Sequence, residues 1–128
     1  MLGKIFDNLY VYRVKKEILA QSADNAFVEY IFNIQGMKER LIELYRGAYY
    51  SFKKESTFLS AIYVLEEAAG NESVPMEIRE ECITLLAQRL IKAQSNRSFW
   101  RSHIMILGHA EETVHEWMMS KKEDDSDE

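Results

Sequence analysis

All three histidines fall in one short stretch, at positions 103, 109 and 115. On a helix, a spacing of six turns each ring by about 240° from the one before, so the three cannot share a face. With an apolar stripe centred on Leu107, His103 and Glu111 project inside the apolar arc. His115 stands at its edge, one turn beyond Glu111. Glu111 and His115 are therefore the pair that could hold a metal ion, but a stable site needs further Cys, His or carboxylate ligands. None stands at a matching spacing, so a polar pair at a helix seam is the preferred reading and no cofactor is expected. Cys82 sits on an apolar face beside Glu81 with no activating cation, which predicts a buried, inert thiol. The five glycines are scattered at 3, 36, 47, 70 and 108, so no phosphate-cradling loop is present.

Two short patterns carry resemblances. Glu112-x-x-His115 has the Glu-x-x-His form of the di-iron carboxylate bundles, which use it on two helices together with two further Glu residues; here it occurs once. Arg97-Ser-Phe-Trp-Arg-Ser-His103 resembles the Arg-x(4-6)-His signature of the HEPN ribonucleases, small all-α proteins. That resemblance implies RNA cleavage across a dimer interface, with Arg97 stabilising phosphate charge and His103 acting as acid or base. Ser98 stands where that family most often has Asn, Asp or His.

The charges are segregated. From Cys82 to Ala110 there is no carboxylate, while Arg89, Lys92, Arg97 and Arg101 surround the pair Phe99-Trp100. Residues 55–81 hold seven carboxylates against Arg79 alone, and residues 111–128 hold eight against Lys121 and Lys122. Blocks of one sign mark solvated faces or interaction surfaces more often than chemistry. The formal net charge of −5 argues against a general grip on nucleic acid, whose affinity comes from clustered Lys and Arg. Of fifteen aromatic residues, twelve lie at or before Tyr63, several interleaved with Arg46, Lys53 and Lys54. Most follow apolar stripes and read as core. Tyr12, Tyr30 and Tyr50 lie off the stripes and are surface candidates.

The elements that position these residues read as helices. There is one proline, Pro75, and no run of strict apolar-polar alternation bounded by turn residues, which predicts an all-α fold. Leu2, Phe6, Leu9, Tyr10, Val14 and Ile18 predict a first helix over about residues 3–21. A second stripe runs from Phe27 to Phe52, with Gly36 free to split it or not. A third helix is predicted from a Ser56 cap to a left-handed Gly70, and a fourth from Pro75 to about Ala93. A fifth, capped by Ser95 or Asn96, carries the stripe Trp100, Ile104, Leu107, Ala110, Val114 and Met118 and ends near Ser120. The expected architecture is a compact bundle of four to six helices over residues 1–120. Residues 121–128, K-K-E-D-D-S-D-E, form a disordered acidic tail with nothing to bury.

A 47% hydrophobic content supports a buried core, and a lone cysteine without a leader sequence suggests a reducing, cytoplasmic setting. The apolar runs are too short to span a bilayer, so no membrane partner is expected. These features predict a non-enzymatic protein-binding module, a small adaptor, regulator or inhibitor. Its surface would use Arg89, Lys92, Arg97, Trp100, Arg101 and Tyr50. The expected partner is another protein, acidic by preference, or a second copy of the chain. The alternatives are a nucleic-acid-acting protein, either a ribonuclease through Arg97 and His103 or a binder using the basic face, and then a metal-binding bundle through Glu111 and His115.

Overall fold

The computed structural model describes residues 2–47 and 53–126, with side chains placed over 3–47 and 53–123. Seven α-helices and no strand occur among them: α1 (Leu2–Ser22), α2 (Asn25–Phe32), α3 (Met37–Gly47), α4 (Lys54–Ala69), α5 (Met76–Gln94), α6 (Arg97–Ser102) and α7 (Ile104–Ser126). The count exceeds the four to six expected because two predicted helices are each interrupted. Gly36 takes φ +83°, a left-handed conformation that glycine adopts without a Cβ penalty, and this separates α2 from α3. His103, at φ −125° and ψ 30°, interrupts what reads in sequence as one helix and leaves α6 and α7. Among the described residues no helix is long and apolar enough to cross a membrane.

The chain divides into two units, residues 1–64 and 65–128. In the first, α1 packs on α2 and α3, and α2 packs on α3. The buried side of α1 carries Asp7, Tyr10, Val11, Val14 and Ile18, at the three- and four-residue intervals that align side chains along a helix. Phe27, Val28, Ile31, Phe32, Met37 and Leu41 bury the matching sides of α2 and α3. Asp24 caps α2 as its type suggests, with Oδ1 accepting the Phe27 N–H at 3.1 Å. Ala23, just before it, is held at φ 57° by its N–H bond to Leu19 O at 2.8 Å, closing α1 in a conformation that costs a non-glycine residue strain.

Two ion pairs help to tie this unit together. Asp7 is buried, and the Arg46 guanidinium reaches its carboxylate with two hydrogen bonds, one from Nε at 3.1 Å. A buried carboxylate needs such a partner, because desolvation otherwise disfavours its charge. The same contact raises the pKa of Arg46 from its ordinary value. On the surface Lys15 pairs with Glu29 and holds that carboxyl below the usual carboxylate range.

In the second unit α5 packs on both α6 and α7, and α6 packs on α7. Cys82, Leu85, Leu86, Leu90 and Ala93 are the buried residues of α5 that its periodicity marks, and Ile83 joins them. Gly70 does not take the left-handed conformation expected of it, Gly36 being the one positive-φ glycine among the described residues. The end of α4 is closed instead by the Gly70 N–H to Glu66 O at 3.0 Å and by Arg79 Nε, which donates to Ala69 O at 2.8 Å. A basic side chain on a last carbonyl answers the negative end of the helix dipole, so no left-handed residue is required. Nor does Ser56 cap α4, which begins two residues earlier at Lys54. Pro75 stands at the N-cap of α5 and takes the Ile78 and Arg79 N–H groups on its carbonyl, each at 3.1 Å.

Burial of Cys82, with Glu81 as a lesser influence, pushes its thiol up to about 12. Because the folded value lies above the ordinary 9.0, the unfolded chain binds fewer protons between those limits. The contribution is complete below pH 9 and is lost as pH rises toward 12, by at most about 1.4 kcal/mol per unit. Wild-type stability, measured by urea unfolding, should therefore fall more steeply than that of Cys82→Ala above pH 9. Parallel slopes for the two proteins would show that the thiol is not held protonated.

Candidate interaction surface

The basic stretch occupies the end of α5, all of α6 and the start of α7. Asn96 shapes it, since its Oδ1 accepts the Phe99 N–H at 3.1 Å and starts α6 after a gap of two residues from the end of α5. Lys92 lies in the last turn of α5, Arg97 is the first residue of α6, and Arg101 lies in its last turn; all three are exposed. No carboxylate among the described residues pairs with Lys92, Arg97 or Arg101. Glu80, which could have neutralised them, is engaged by Lys121 instead.

Arg89 does not stand with them on the surface. It is only 5% exposed, because it lies three and four residues from Leu86 and Leu85 and four from Ala93, on the buried side of α5. Trp100 is half-buried, and Tyr50 lies outside the described residues. Tyr12 and Tyr30 are exposed, where their positions off the apolar stripes place them.

Apolar side chains surround the exposed cations in sequence. Ile91, Ile104 and Met105 are exposed, Met105 at 85%. The stripe expected on the fifth helix thus holds only at its centre: Leu107 and Ala110 are buried, whereas Ile104 and Met118 face water. Ile104 is the first residue of α7 and is exposed, whereas Leu107, one turn on in the same helix, is buried. Farther along, α7 continues past the expected end at Ser120, and within that extension Lys121 Nζ reaches Glu80 Oε1 on α5.

Arg97 and His103 occupy opposite ends of α6. The arginine is exposed in the first turn, while the half-buried His103 is the C-cap, its ring 4.9 Å from that of Phe99. Six residues of helix separate their backbones by about 9 Å along the axis. Glu111 and His115 are both exposed, and Glu111 accepts a hydrogen bond from Gln94 Nε2 at 3.0 Å. Among the described residues no three His, Cys, Asp or Glu side chains gather as a metal site requires.

Two polar groups that sequence reasoning missed organise this unit. His109 Nδ1 meets Glu66 Oε1, and the same carboxylate oxygen accepts from Thr113 Oγ1 at 3.0 Å, joining the last turns of α4 to α7. Arg79, besides closing α4, stacks its guanidinium 4.9 Å from the Trp117 ring centre. The sequence signal was the four-residue spacing of His109 and Thr113, which puts both on one side of a helix. The acidic partner on α4 becomes visible only when the helices pack. No protein-family model, curated protein or solved structure significantly matches this chain.

Proposed function

We propose that this chain is a non-enzymatic protein-binding module, an adaptor or regulator, that captures an acidic partner at the junction of α5, α6 and α7. The observation that carries the reading is the exposure of Lys92, Arg97 and Arg101, with no carboxylate among the described residues paired to them, and of Ile91, Ile104 and Met105 near them in sequence. Unpaired cations steer an acidic surface into register, and desolvated apolar side chains supply the holding energy. Arg97 and Arg101 are four residues apart on α6 and so stand on one side of it.

Reversing charge at Arg97 and Arg101 together (Arg97→Glu, Arg101→Glu) tests the proposal. Binding of a fluorescent poly-glutamate peptide should weaken at least about tenfold, equivalent to about 1.4 kcal/mol, and wild-type binding should weaken as salt rises. Both side chains are exposed, so the helical circular dichroism signal should be unchanged. Undiminished binding by a folded double variant, or binding insensitive to salt, would overturn it.

A further inference from the structure

The second unit turns the separation of charge along the sequence into a separation in space. Its helices α5 and α7 run antiparallel: Gln94, the last residue of α5, donates to Glu111 in the first half of α7, while Glu80, near the start of α5, meets Lys121 near the end of α7. The cations Lys92, Arg97 and Arg101 therefore stand at the end where α6 joins the two helices. The opposite end is acidic. Glu72 and Glu77 are exposed just before and just inside the start of α5, and Glu123 is exposed on α7. Residues 123–128, E-D-D-S-D-E, hold five carboxylates in six positions. Against them stand Lys122 and Lys121, the latter already paired with Glu80.

These two ends cannot meet within one molecule. α7 runs from Ile104 to Ser126, about 33 Å at the helical rise, and its antiparallel course along α5 carries it away from α6. Residues 127 and 128 extend the reach by at most about 7 Å. Exposed charges are screened over about 8 Å at physiological salt, so attraction between the two ends of one molecule is negligible. A second copy removes the obstacle. Two copies laid antiparallel about a two-fold axis bring each basic end to the acidic end of the other, so both contacts form at once and the assembly closes as a dimer. Like ends set together would oppose cation to cation or carboxylate to carboxylate.

We propose that the chain self-associates by placing the acidic segment 123–128 of one copy on Lys92, Arg97 and Arg101 of another. Resting on the reading of the α5–α6–α7 junction as a surface for acidic groups, this makes the chain its own partner.

Sedimentation velocity of the full chain over a concentration series at low salt is the test. The wild type should approach the mass of a dimer and return to the monomer as salt rises. Arg97→Glu with Arg101→Glu, and Asp124→Lys with Asp125→Lys, should each raise the dissociation constant at least about tenfold. An equimolar mixture of the two double variants should regain association, since the reversed segment then faces the reversed surface and the native segment the native surface. Should the segment variant lose helical signal, Asp127→Lys with Glu128→Lys, which follow the last residue of α7, replaces it with the same expectation. A wild type that stays monomeric at low salt, or a segment variant that associates as the wild type does, would overturn the proposal. A monomeric wild type that still binds the poly-glutamate peptide would overturn self-association and leave the acidic-partner reading standing, whereas absence of both would overturn both.

Discussion

Leu107→Ala should lower the free energy of unfolding by about 3 kcal/mol, the ordinary cost of removing a fully buried leucine and leaving a cavity that its neighbours only partly fill. Leu107 has no exposed surface and lies on the side of α7 that packs on α5 and α6. Among the described residues of α7 only Leu107 and Ala110 are fully buried, and the alanine offers little to compensate. Urea unfolding followed by circular dichroism measures the loss, and thermal unfolding should show a midpoint lower by about 10 °C. Ile104→Ala, three residues away but exposed, should change stability by less than about 0.5 kcal/mol. Equal effects at the two positions would mean that the phase of α7 is wrong.

Tyr10→Ala should cost about 4 kcal/mol, because its ring is the largest fully buried side chain among the described residues and truncation opens a cavity to match. The ring stacks on Tyr45, with centroids 4.4 Å apart, and its hydroxyl lies 2.5 Å from Ser60 Oγ and donates to Ser56 O at 3.2 Å. Tyr10→Phe separates the two contributions. It keeps the stack and leaves the buried Ser60 hydroxyl without that partner, which should cost about 1 kcal/mol. Urea denaturation of the two variants side by side gives both values, and a phenylalanine variant as unstable as the alanine one would assign the role to the hydroxyl rather than the ring.

Helix identity was legible because its causes are local. The rows of Val14 and Ile18 on α1, of Phe27 and Ile31 on α2, and of Cys82, Leu86 and Ala93 on α5 follow the helical repeat, and all are buried. Asp24 and Asn96 cap the helices that follow them, since an Asx side chain at that position reaches the third N–H onward without help from elsewhere. The basic stretch was legible as composition, and Lys92, Arg97 and Arg101 are exposed. Arg89 was misplaced because its charge was weighed and its register was not: an arginine three and four residues from two buried leucines follows them inward.

What the sequence by itself determined is the helical class, most helix positions, two caps and the separation of charge along the chain, all set by neighbours within four residues. Tertiary structure decided what depends on residues far apart. It chose a side-chain cap from Arg79 over a left-handed Gly70, paired Glu66 with His109 and Asp7 with Arg46, and left Ile104 exposed while burying Leu107 on the same helix. Each of the three pairings joins groups ten or more residues apart. Periodicity within one helix carries no information about which side of another helix will meet it.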